Sequence, residues 1–144
     1  MLNRKFTEVR RFIRAADVHL DAARRLLAAC PEKTSSTRAH DVIYLSGYVI
    51  ECALKALLLS RYPEAKHKEM IERFKSAVKH DLEKLKRELS KKKVELPEKQ
   101  QENLKRVRPV WSSEMRYDVR AWHRDEAERI FLAVEAIYDW VNGS

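Results

Sequence analysis

Glycine is scarce in this chain, two residues in 144, and proline is little commoner at four. That leaves few positions for tight turns, and with Ala, Leu, Glu, Lys and Arg dominant the composition is that of an all-α protein. Cysteine is limited to Cys30 and Cys52, with no C-x-x-C pairing, so both are expected as reduced thiols of a cytoplasmic protein. No His-x-x-x-His, Cys/His cluster, Gly-rich phosphate loop or serine in a nucleophile turn occurs, so these signals for common metal, nucleotide and triad chemistries are missing. A single Glu64-x-x-His67 stands without the second copy that a di-iron bundle requires. Neither a metal nor a cofactor is expected.

Long uninterrupted apolar runs are missing too. Arg4, Lys5, Glu8, Arg10 and Arg11 charge the N-terminal stretch, which therefore does not read as a signal peptide. The most apolar stretch, Val42 to Leu59, contains Glu51 and Lys55, which favours a buried helix over a membrane span. With no repeat or low-complexity linker, residues 1–144 read as one helical domain, long enough to bury a core without a disulfide.

Positive charge is abundant, a formal net +8, and it is regional: residues 66–108 hold fifteen Lys/Arg against eight Asp/Glu. A basic region binds nucleic acid by neutralising phosphates. The same charges also suit a solvated helix surface, since Glu83 and Arg87, Glu88 and Lys92, and Glu102 and Arg106 are spaced i,i+4. No aromatic interleaves with Lys91, Lys92 and Lys93 to form a stacking groove.

Apolar periodicity lays out the helices. Phe6, Val9, Ile13, Ala16, Leu20, Ala23 and Leu27 put one face of a first helix, Phe6 to Ala29, inward. After Pro31, Ser35, Ser36 or Thr37 can cap a second helix over about Arg38 to Arg61. That helix is apolar on nearly every side, which places it at the centre of a bundle or partly in a homodimer interface. Gly47 in its middle suits close approach by a neighbouring helix. Residues 64–78 suggest a short amphipathic helix with Met70, Ile71, Phe74 and Val78 on one side. His80-Asp81-Leu82 opens another helix, ending around Ser90 to Lys93. A further segment runs from Pro97 to before Pro109, and a last helix from His123 or Arg124 to Asn142, stopped by Gly143.

Two groups of residues invite chemistry. Glu51 and Lys55 are either an intrahelical ion pair at the edge of the core or the border of a polar cavity, and Tyr44 and Tyr48 extend their row. Arg116 and His123, beside Tyr117 and Trp122, supply a fixed cation for phosphate oxygens and a proton carrier that titrates near neutrality. The same pair also suits a solvated helix start. In a continuous helix the two would share one face about 10.5 Å apart, and in a loop they would come closer. Arg120 and Arg124 near His123 would favour its neutral form, and Asp118 would oppose that.

The apolar helix with Tyr48-Val49-Ile50-Glu51-Cys52-Ala53-Leu54-Lys55-Ala56-Leu57-Leu58, then His80-Asp81-Leu82, Trp111, Arg116-Tyr117 and Tyr138-Asp139-Trp140-Val141, resembles the HEPN family (higher eukaryotes and prokaryotes nucleotide-binding domain) over nearly the whole chain. The resemblance implies an up-and-down bundle of about five helices, usually a homodimer. It also implies metal-independent RNA cleavage of the toxin or defence type, with an Arg and a His separated by four to six residues. Arg116 and His123 have six between them. Arg116 would then stabilise the pentacoordinate phosphate and His123 would be base or acid at the ribose 2′-hydroxyl, leaving a 2′,3′-cyclic phosphate. Glu51, Lys55, Tyr117 and Arg120 would line the substrate, and two copies of His123 at an interface would fill both proton-transfer roles. Other members lack the histidine and bind a nucleotide or a partner such as a minimal nucleotidyltransferase antitoxin. The tyrosine that such partners modify, two places after the histidine, is Asp125 here. The readings carried forward are thus an RNA-cleaving dimer, a non-catalytic binding module, and a helical dimer with an incidental basic face.

Overall fold

The computed structural model describes residues 2–78 and 80–143 and, at 77 and 78, the backbone alone. Six α-helices make up the described fold: α1 (Thr7–Ala29), α2 (Thr37–Leu59), α3 (His67–Arg73), α4 (Leu82–Lys91), α5 (Glu98–Val107) and α6 (Arg124–Asn142). The bundle is all-α, as the composition predicts, apart from two strands of two residues each: β1 (Ser35–Ser36) and β2 (Trp122–His123). They pair antiparallel, Ser35 with His123 and Ser36 with Trp122, and stitch the start of α2 to the start of α6.

Helix α1 buries Val9, Ala16, Leu20, Ala23 and Leu27, the inward face of its sequence pattern. Ser36 caps α2 by accepting from the Ala39 amide. Sixteen of the twenty-three residues of α2 are buried, because α1, α4 and α6 all pack on it. Each fully buried Val, Ile or Leu on such a helix contributes about 1.5–3 kcal/mol of transfer free energy. By length and apolar composition α2 alone among the described helices matches a membrane span, and its burial inside the bundle accounts for that composition. A second copy is not needed to cover it.

The predicted helix over 64–78 is broken into a 3-10 turn, α3 and a π turn over Phe74–Val78. Met70 and Phe74 enter the core as expected, Ile71 packs beside them, and the side chain of Val78 lies outside the described residues. His67 is buried, with Nε2 donating to the carbonyls of Leu59, the last residue of α2, and of Tyr62 in the turn beyond it. Asp81 caps α4 by accepting from the amides of Glu83 and Lys84.

The acidic side chains of α4 reach across the fold, and Glu88 also pairs along the helix with Lys91 at 3.6 Å. Glu83 meets Arg108 at 2.9 Å and Glu88 meets Arg73 at 2.8 Å, where the sequence suggested Arg87 and Lys92. Lys92 lies over the Tyr62 ring. Part of the basic excess is thus neutralised between elements.

Gly47 admits a close approach, by a side chain and not by a helix. The Trp111 indole lies where a Cβ would fall, 2.0 Å from its Cε2, and the indole N–H donates to the Tyr44 carbonyl at 2.9 Å. Gly47→Ala should therefore destabilise the fold, since overpacking of about 1–3 kcal/mol exceeds a helix-propensity gain of about 1 kcal/mol. Urea unfolding followed by tryptophan fluorescence measures this, and an unchanged or higher midpoint would contradict it.

Candidate active site

Five polar residues of α2, at positions 40, 44, 48, 51 and 55, fall on one side of the helix, and each takes a partner from another turn or element. His40, buried, donates from Nε2 to the Met115 carbonyl at 2.7 Å and accepts the Trp122 indole N–H on Nδ1 at 3.3 Å. One side chain thereby holds the residue before Arg116 and the residue before His123. One turn along, Tyr44 donates to the Tyr48 hydroxyl at 3.4 Å, and their rings meet edge to face. Tyr48 also packs edge-on against His80 and Trp111.

Further along the row Glu51 and Lys55 form an ion pair at 3.6 Å inside the core, both side chains under a tenth exposed. Lys55 also lies over the Phe74 ring. Glu51 does more than balance Lys55, because its Oε1 accepts from His80 Nδ1 at 2.5 Å. Of the two sequence readings of this pair the core ion pair is what forms, and Glu51 reaches the edge of a cavity only through His80. The His80 ring is 44% exposed and borders a cavity of about 460 Å³ whose wall includes Arg108, Trp111, Ser112 and Ser113.

Arg116 ends a 3-10 turn over Ser113–Arg116, and His123 lies in β2. The segment is therefore a loop and not one continuous helix. Arg116 is exposed, lies beside the Tyr117 ring, and stands near enough to Tyr48 for its charge to pull that phenol downward. Among the described contacts nothing joins Arg116 directly to His123. His123 caps α6: its Nδ1 accepts from the Asp125 amide at 3.1 Å, with the Asp125 carboxylate 3.7 Å away. That bond places the proton of a neutral ring on Nε2, so His123 presents a donor. Arg120 lies over the Trp122 ring, and Arg124 is committed to the Cys30 carbonyl and Glu128. Tyr117, 70% exposed, stands clear of the core.

Sequence reasoning placed Arg116, Tyr117, Arg120 and His123 on one short segment, and the structure keeps that segment together through His40. It gave no role at a site to His40 or His80. Their partners lie 75 and 29 residues away, so no local spacing signals them. Among the described residues no group of three or more metal-ligating side chains forms.

An all-α bundle built on a buried central helix, with a basic loop leading into its last helix, defines the class. A family model described as HEPN domain matches residues 9–144, essentially the whole chain. The chain belongs to the HEPN family. Neither the curated proteins nor the solved structures contain a match.

Burial, followed by the bond to Tyr44, pushes the Tyr48 phenol above its ordinary range, and burial, followed by the charge of Glu51, pushes the Cys52 thiol up to about 11. A group whose pKa rises on folding leaves stability intact below its unfolded value and costs stability as pH climbs through the folded one. Stability should therefore fall between about pH 9 and 11, and Cys52→Ala should reduce that slope by an amount on the order of 2 kcal/mol across the window. Chemical unfolding at stepped pH reads it. Equal slopes in the two proteins would contradict the assignment.

Proposed function

We propose that this HEPN protein is a metal-independent endoribonuclease in which Arg116 holds the scissile phosphate and His123 donates a proton to the departing 5′-oxygen. The observation that carries this reading is the hydrogen bond from the Asp125 amide to His123 Nδ1, which leaves a donor on the opposite ring nitrogen at a helix start fixed by strand pairing. Arg116 is exposed at the other end of the loop, where its guanidinium can meet a phosphate in solvent. The ribose 2′-hydroxyl supplies the nucleophile, so the substrate is RNA. The positive surplus over residues 66–108 favours a polyanion.

Family membership supports the reading at the level of RNA and nucleotide chemistry. As a homodimer, the chain would bring a second copy against Tyr117 and Val119, the exposed apolar side chains beside Arg116. The case for a second copy rests on that loop, because α2 is already covered by its own chain.

In EDTA the protein should cleave RNA to a 2′,3′-cyclic phosphate and a 5′-hydroxyl. Arg116→Ala should slow cleavage about 10²–10³-fold, the effect of removing one charge-stabilising donor. His123→Ala should slow it about 10²–10⁴-fold, the usual worth of a general acid. Product analysis and single-turnover rates on folded variants test this. Varied RNAs left intact by the wild-type protein would sink the proposal and leave the binding-module reading.

A further inference from the structure

The hydrogen bonds of four histidines fix which ring nitrogen carries the proton in the neutral state. His40 and His67 donate from Nε2 to carbonyls, and His123 accepts on Nδ1, so all three are Nε2–H tautomers. His80 differs: Nδ1 faces the Glu51 carboxylate at 2.5 Å, which can only accept. Its Nε2 is then the unprotonated nitrogen, on a ring 44% exposed at the edge of the cavity. A buried carboxylate holding Nδ1–H and an open Nε2 lone pair is the arrangement of a proton acceptor.

We propose that His80 is the general base of this protein, taking the 2′-hydroxyl proton of a ribonucleotide seated in the adjacent cavity, with Glu51 as its positioning residue. The inference rests on the ribonuclease reading above. Tyr48 joins His80 to the loop before Arg116, since its ring packs edge-on against His80 at 5.7 Å and Trp111 at 5.3 Å between centroids. Ser113, in the wall of the cavity, begins the 3-10 turn that Arg116 ends, so Arg116 stands three residues along the chain from that wall. The cavity, about 460 Å³, is within the range of about 300–1,000 Å³ typical of small-ligand sites. Glu51 and Tyr48 of α2 contact the ring, Lys55 balances Glu51, and Asp81 before α4, Glu83 in its first turn and Arg108 line the same cavity.

The step balances. Nε2 of His80 takes the 2′-hydroxyl proton, the 2′-oxygen bonds to phosphorus, and the bond from phosphorus to the 5′-oxygen breaks. The 5′-oxygen leaves with the proton of His123. The products are a 2′,3′-cyclic phosphate and a 5′-hydroxyl, and solvent returns each histidine to its starting state. Base and acid are then two different histidines of one sequence, where two copies of His123 were expected to share both roles.

The test uses an RNA oligonucleotide spanning a cleavage site of the wild-type protein, made with either the natural 5′-oxygen or a bridging 5′-sulfur at the scissile bond. A thiolate leaves without an acid, so His123→Ala should regain most of its rate on the sulfur substrate. His80→Gln should remain about 10²–10⁴-fold slow on both substrates and lose the acidic limb of the kcat/KM profile against pH. His80→Ala should regain activity with added imidazole. Glu51→Gln, if folded by circular dichroism, should lower kcat while leaving KM nearly unchanged. His80→Gln within a few-fold of wild type with the same acidic limb would overturn the assignment of the base and leave Arg116 and His123 standing. A wild-type protein that cleaves neither oligonucleotide would overturn both proposals.

Discussion

A helix buried on nearly all sides cannot carry polar groups cheaply, since an unpartnered buried donor or acceptor costs about 1–3 kcal/mol and an unpaired charge costs more. Helix α2 nevertheless carries His40, Tyr44, Tyr48, Glu51 and Lys55 on one side. The rest of the site follows from how those groups are satisfied. His40 takes Met115 and Trp122, the Tyr44 carbonyl takes Trp111, and Glu51 takes Lys55 and His80. Among the described residues, Ser46 Oγ is the buried side-chain group of this helix left without a protein partner. The segments recruited to satisfy α2 are the same ones that bring basic and proton-carrying side chains to the surface.

This arrangement separates precision from exposure. The buried ends of each interaction are fixed by packing, as with Trp111 pressed on Gly47, while Arg116, Tyr117 and the His80 ring meet solvent. Rigid support beneath exposed chemistry is what positioning a phosphodiester requires. Removing a buried partner such as Glu51 would strand the ammonium of Lys55 as well as release His80, so the ion pair and the site share one carboxylate.

Much of the fold was legible because it is local. The spacing of Val9, Ala16, Leu20, Ala23 and Leu27 set α1, Ser36 capped α2, and His123 opened α6 where the pattern placed it. The surface pairing was not fully legible: Glu83 and Glu88 have i,i+4 partners in the sequence, but their shortest ion pairs are with Arg108 and Arg73 across the fold, and the pair that Glu88 makes along its own helix is with Lys91 at i,i+3. The π turn after α3 and the two-residue sheet leave no periodic trace in chains so short. Within the site, Arg116 and His123 could be read because they share a segment. His80 could not, because its meaning depends on a carboxylate 29 residues earlier that looked committed to Lys55.

The central claim is that hydrogen bonds to the far nitrogen of each imidazole set opposite roles for His80 and His123. Nitrogen-15 histidine labelling with two-bond proton correlation reads each tautomer directly, at about pH 8 where unperturbed imidazoles are neutral. The account predicts an Nδ1–H signal for His80 that shifts to the other tautomer or averages in Glu51→Gln, with Nε2–H signals for His40, His67 and His123. An Nε2–H tautomer at His80 in the wild-type protein would contradict it.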